Sequence, residues 1–272
     1  MYTMNSKPSK NWVDTHFHVF NAGVATKTAR YIPKYTAALQ DWMALAQSVG
    51  VARGVWVQPS FLGTDNSLMV SALEAHPQTL RGVAVIAPDT SLNELKVLHR
   101  AGVRGLRLNL SGVSHEIPEW TKAETVWSAL HELGWHLEVH TDQGGLSKVL
   151  MQLPSDIPLV VDHMGKPHQA HAKDASLSVL IARSQRVPTY VKLSGAYRLG
   201  EVDPTTLAPM WLHELGAGAL LWGSDWPCTN HEHLASYQDL FCALQSWVGD
   251  EHLNQVLSLN PQRLYWSHNA SL

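Results

Sequence analysis

Cysteine is nearly absent from this chain. Cys228 and Cys242 are the only two in 272 residues, which excludes a disulfide framework and suits a reduced, cytoplasmic setting. Charge is sparse as well, with 16% of residues charged and a formal net charge of −3. That balance gives no electrostatic footprint for nucleic acid or an anionic membrane, although a local basic pocket for a small acidic molecule is compatible with it. No apolar run approaches the roughly 20 residues needed to span a bilayer. Lys7 and Lys10 are not followed by the apolar core of a secretory signal. A glycine-rich phosphate loop after the first strand-like run is also missing, which counts against a doubly wound nucleotide-binding sheet.

What the chain has is hydrophobic residues, 45% of the total, dealt out as a repeat. Short apolar runs at Trp12–His18, Val51–Gln58, Gly82–Ile86, Val103–Leu110, Trp135–His140, Leu159–His163, Tyr190–Ser194 and Ala219–Ser224 read as strands. Amphipathic segments lie between them, with apolar stripes such as Ala38, Trp42, Leu45, Ala46 and Val49, or Val126, Leu130 and Leu133. Gly50, Gly102, Gly134 and Gly216 close helix-like segments just before the next strand, as αβ loops require. About eight such units in a chain of this length predict one α/β domain, a (β/α)8 TIM barrel. The expected organisation is a flexible N-terminal tail at 1–10 and a barrel domain over 11–272.

Barrel chemistry gathers at the C-terminal ends of strands, and these ends are polar here. His16 and His18 lie two apart on the first strand, so both are expected to point into one pocket with Val13, Phe17 and Val19 behind them. Later ends offer Gln58 and Ser60, Asp89, Arg107 and Asn109, Glu138 and His140, His163, Lys192 and Ser194, Tyr197 and Arg198, and finally Asp225. Each also has a structural reading. Asp89 can cap the next helix, Ser60 and Ser194 can be turn residues, and Glu138 can be a buried ion-pair partner.

The segments Asp14-Thr15-His16-Phe17-His18, Val161-Asp162-His163-Met164-Gly165 and Leu221-Trp222-Gly223-Ser224-Asp225-Trp226-Pro227, in that order, resemble the amidohydrolase superfamily. More narrowly they resemble its branch of 2-pyrone-4,6-dicarboxylate lactonases and related sugar or muconate lactonases, over nearly the whole chain. The resemblance implies a hydrolase that opens a small carboxylated lactone with Asp225 activating water. His16, His18 and His163 are then the candidate hydrogen-bond donors to the carbonyl oxygen. Arg107 and Arg198, with Ser60, Asn109 and His140, are candidates for holding a small anionic substrate, since guanidinium pairs with carboxylate in a planar fork.

The lactonase branch is implied to work without a metal. Other superfamily members imply an alternative, a single divalent ion such as zinc on His16, His18, His140 and Asp225, serving an amide hydrolase or a non-oxidative aromatic-acid decarboxylase. Arg107 and Asn109 stand where a bridging ligand would be wanted, which argues against two metals. The tryptophans raise the expectation of an aromatic surface able to form a homodimer.

Overall fold

Each of the eight apolar runs forms a parallel strand: β1 (Trp12–Phe17), β2 (Val51–Val57), β3 (Leu80–Ala84), β4 (Val103–Asn109), β5 (His136–His140), β6 (Leu159–Val161), β7 (Thr189–Leu193) and β8 (Leu220–Trp222). The strands pair in chain order from β1 to β8. The seam between β8 and β1 is closed just past the strand ends, where the Asp225 amide donates to the His16 carbonyl and the His18 amide donates to the Trp226 carbonyl, both at 2.8 Å. The result is a (β/α)8 barrel. The computed structural model describes residues 11–267, so the expected tail at 1–10 lies outside the described residues.

Helices α1 (Leu39–Ser48), α2 (Ser67–Ala75), α3 (Leu92–Ala101), α4 (Glu124–Leu133), α5 (Leu146–Leu150), α6 (Ala175–Ser184), α7 (Pro204–Leu215) and α8 (Tyr237–Val248) follow the strands in turn. Their starts are written in the sequence. Ser91 and Glu94 form a capping box at α3, Ser236 and Asp239 another at α8, and Asp203 caps α7 ahead of Pro204. The four closing glycines all adopt positive φ. On α1 the buried stripe is Leu39, Trp42 and Ala46, with Leu45 turned toward solvent. Asp89 is exposed and caps nothing, because Ser91 is the cap of α3.

The strands divide their side chains between two cores. Leu137 and Val139 of β5 face outward to the helices, in the large core shared with α3 to α8. Val13, Val55, Val57, Val83, Val160, Tyr190 and Leu221 form the interior floor, closed below by Leu264 and Tyr265. Val13 therefore points into the barrel rather than packing behind the histidines. A register shift between Asp14 and Phe17 explains this: three steps on β1 oppose two on β2, a bulge that re-aims the strand. Phe17 does face outward as expected, stacked on Trp42 at 3.9 Å.

All eleven tryptophans are buried or half-buried. Their rings pack in or against the hydrophobic cores. No helix among the described residues is long and apolar enough to cross a membrane.

Candidate active site

At the C-terminal mouth lies a cavity of about 250 Å³. Its lining includes His18, Ser60, Arg107, Asn109, His140, His163, Arg198 and Asp225. These are eight of the nine residues the sequence nominates, drawn from seven different strand ends. The ninth, His16, lies fully buried beneath His18 and Asp225, with its Nε2 3.3 Å from His18 Nε2 and 3.6 Å from Asp225 Oδ1.

Asp225 is set with some strain. Its φ is 57°, a left-handed conformation that costs a non-glycine residue roughly 1–2 kcal/mol. The hydrogen bond from its N–H to the His16 carbonyl, and the one its own carbonyl accepts from the Cys228 N–H, hold it there. Gly223 makes the approach possible, since a Cβ at that position would fall 2.3 Å from the His16 Cβ. The carboxylate has two distinct oxygens. Oδ2 accepts from Arg198 Nε at 2.7 Å and from the Tyr197 hydroxyl at 2.8 Å. Oδ1 faces the imidazoles, 3.3 Å from His18 Nε2. Burial pushes the carboxyl pKa up, but the adjacent Arg198 guanidinium leads the opposing interactions that hold the group well below the usual carboxylate range.

The histidine rings are fixed by what their other nitrogens touch. His18 Nδ1 lies 2.7 Å from the Val57 carbonyl. A carbonyl only accepts, so Nδ1 carries the proton and Nε2 of the neutral ring presents a lone pair. In that neutral tautomer Nε2 faces Asp225 Oδ1. His163 Nδ1 is held at 3.0 Å by the Ser194 hydroxyl, with Nε2 4.0 Å from Asp225 Oδ2. His140 meets His163 edge-on at 4.6 Å, and neither of its ring nitrogens has a partner among the described residues. Burial drives the His16 pKa down to about 3 and holds His140 and His163 well below their ordinary value. All three rings are neutral near pH 7.

Beneath the cavity runs a layer of buried charge that the sequence signalled only in fragments. Lys192, fully buried, contacts Glu138 at 2.6 Å, His16 Nδ1 at 3.1 Å and Asp162 at 3.4 Å. Arg107 reaches Asp162 at 3.2 Å and donates to the Gln58 carbonyl at 3.0 Å. Asp162, buried but beside His16, Lys192 and Arg107, is held well below the ordinary carboxylate pKa. Glu138 is thus an ion-pair partner, and Arg107 is committed to the protein's own groups.

Asp14, also buried, faces away from the cavity. It accepts from the His16 and Ser224 amides, the Ser224 hydroxyl, Trp42 Nε1 and the Tyr237 hydroxyl. It ties β1, the end of β8, α1 and α8 together directly behind the site. Sequence reasoning missed it as a positioning group, although its place in Asp-x-His-x-His was visible.

Three residues of the single-ion alternative, His16, His18 and Asp225, meet within 3.6 Å, whereas His140 is grouped with Asp162 and His163. Ligating atoms gather as His16, His163 and Asp225, as His140, Asp162 and His163, and as His16, Glu138 and Asp162. None of these groups unites His16, His18, His140 and Asp225, because His140 leans toward His163 and Asp162. Each carboxylate at the cavity and in the layer beneath it already faces a cation: Glu138 faces Lys192, Asp162 faces Lys192 and Arg107, and Asp225 faces Arg198. With neutral imidazoles this layer carries no surplus negative charge to offset a divalent ion.

A family model described as amidohydrolase matches residues 13–266. The 4-sulfomuconolactone hydrolase of Hydrogenophaga intermedia is 29% identical over 95% of this chain and 89% of that protein. The 2-pyrone-4,6-dicarboxylate hydrolase of Comamonas testosteroni is 31% identical, over 93% and 90% respectively. A crystal structure of a probable 2-pyrone-4,6-dicarboxylic acid hydrolase from Acinetobacter baumannii, with citric acid bound, superposes with a TM-score of 0.82 at 32% identity, covering 94% of this chain and 99% of that one.

Proposed function

Since the chain belongs to the amidohydrolase family, we propose that it hydrolyses a small lactone bearing carboxylates, of the 2-pyrone-4,6-dicarboxylate kind. The observation that carries this reading is the meeting of Asp225 Oδ1 and His18 Nε2 at 3.3 Å under a cavity rimmed by arginine. Two facing acceptors form a proton-accepting site. Water held there attacks the ester carbonyl carbon as its proton passes to Asp225. Negative charge develops on the carbonyl oxygen and is met by an N–H donor. With Ser194 donating to its Nδ1, His163 offers Nε2–H there; His16 lies beneath, its Nε2 3.3 Å from His18 Nε2, and steadies that ring. The ring C–O bond then breaks, and the proton on Asp225 returns to the departing oxygen. Substrate carboxylate drawn to Arg198 shares that guanidinium with Asp225, which relaxes the clamp on the base.

We further propose that the reaction needs no metal, a reading supported by the charge balance beneath the cavity. We assign it to the cytoplasm, which the two unpaired thiols support. The direct test is incubation of purified protein with 2-pyrone-4,6-dicarboxylate, following loss of ring absorbance. Wild type is expected to consume the lactone and Asp225→Asn to leave it intact. A wild-type protein inert toward this lactone and toward carboxylated muconolactones would remove the reading.

A further inference from the structure

One guanidinium at the mouth has no work inside the protein. Arg107 is engaged with Asp162 and the Gln58 carbonyl, and Arg198 with Asp225 and the Thr229 carbonyl. Arg30, from the long loop between β1 and α1, also lines the cavity. It makes no hydrogen bond or ion pair among the described residues. Its position is nonetheless built. Next to it, Tyr31 packs on Phe61 with ring centres 5.6 Å apart, in a small core with Phe20, Ala37 and Leu62. Further along the loop, the Tyr35 hydroxyl donates to Glu232 at 2.7 Å, tying it to the far rim.

The opposite wall is shaped to receive it. Arg30 Nη1 lies 2.7 Å from where a Cβ on Gly112 would be, so the guanidinium rests over a bare backbone in the loop after β4. Gly112 has φ 73°, and the Asp142 carboxylate pins that loop by accepting from the Gly112 amide and the Ser111 hydroxyl. A free, outward fork thus hangs over a cavity whose other cations are already paired. A cation so placed, exposed where Asp225 is buried, is matched by a ligand's anionic group at the outer end of the cavity.

We propose that Arg30 is a specificity-determining residue that binds the outer carboxylate of a di-acid substrate, so that the enzyme selects lactones with two acid groups over those with one. This rests on the lactonase reading above. Its loss should act through ground-state binding, since the group lies away from the reacting carbonyl.

The test compares wild type, Arg30→Met and Arg30→Lys on 2-pyrone-4,6-dicarboxylate and on the two singly carboxylated 2-pyrones. Arg30→Met is expected to lower kcat/KM for the di-acid by about 10- to 100-fold, mainly in KM, consistent with loss of a charge-assisted bond. It should leave at least one mono-acid within about twofold, with Arg30→Lys intermediate. Because Arg30 is exposed and unbonded, Tm should not move. An equal loss on all three lactones, or none, overturns the proposal. Calorimetry with isophthalate and benzoate as inert probes gives a readout free of turnover: isophthalate binding should weaken in Arg30→Met and benzoate binding should not. If wild type opens no lactone yet isophthalate binding depends on Arg30, the lactonase reading fails and the anion site stands. If wild type opens the di-acid and Arg30→Met is indistinguishable from it, the reverse holds.

Discussion

Arg198 Nε sits 2.7 Å from Asp225 Oδ2, so the nominal base is clamped by a cation in the free protein. A carboxylate held low is a poor proton acceptor, and burial alone would push it the other way. Removing the clamp therefore has a defined sign. In Arg198→Met the Asp225 pKa should rise, and the acid limb of the kcat profile should move to higher pH, with KM for an anionic lactone rising too. Asp225→Asn should lower kcat on the order of a thousandfold. A pH–rate profile whose acid limb stays put in Arg198→Met would show that Arg198 does not set the charge state of Asp225.

His163 is expected to act on the carbonyl oxygen through Nε2, and Ser194 to act only by fixing the ring at 3.0 Å. His163→Ala should thus cost roughly 100-fold or more in kcat. Ser194→Ala should cost far less, because the ring can still reach the oxygen in a fraction of molecules. Steady-state kinetics of the two variants checks this order, and equal losses would contradict it.

How much of this was legible beforehand follows from the physics of each element. The strands were, because a parallel barrel strand buried on both faces reads as an apolar run, and all eight were found at their observed places. The site residues were, because polar side chains at the ends of such runs stand out. Val13 was misread because the bulge at Asp14 to Phe17 breaks the simple alternation, and no residue type announces a bulge. The His18 tautomer depends on the Val57 carbonyl, thirty-nine positions away. Arg30 escaped notice because it lies in a loop after the first strand, far in sequence from every partner it faces across the mouth. Single-sequence reading follows periodicity, and loops have none.

Metal removal offers a clean division between chemistries. The paired cations at Glu138, Asp162 and Asp225 lead us to expect that lactone opening survives exhaustive chelation. Elemental analysis of active protein should find well under one divalent ion per chain. Activity abolished by chelation and restored by zinc or manganese would overturn this expectation and bring the groups around His163 back into question.

Behind the site, the Asp14 carboxylate accepts five hydrogen bonds in a fully buried position. Asp14→Asn replaces one accepting oxygen with a donor facing other donors. The expected cost is about 3 kcal/mol, which for a chain of this size corresponds to a Tm drop of roughly 6–10 °C. Activity should fall as well, since Ser224 and His16 lose their common anchor. Asp14→Ala folding with unchanged Tm would show that the hub is dispensable.

The neutral imidazoles make stability depend on pH in one direction. Burial lowers the His16 pKa to about 3, and His136, His140 and His163 are lowered by the same cause. Between those values and the ordinary 6.5, the unfolded chain binds protons that the folded chain refuses. Each ring therefore contributes stability that is complete above pH 6.5 and lost on acidification, at about 1.4 kcal/mol per pH unit. For His16 the loss continues to about pH 3. Asp162 and Asp225, held low, add a second loss that begins only below about 3.8. Thermal melts should thus be level from pH 7 to 8 and fall with increasing slope from 6.5 downward. His163→Asn, lacking a titrating ring, should show a shallower decline than wild type across pH 6 to 4.5. A wild-type Tm that held steady or rose over that interval would mean the rings are charged in the folded protein, and the neutral state assigned to them would have to be given up.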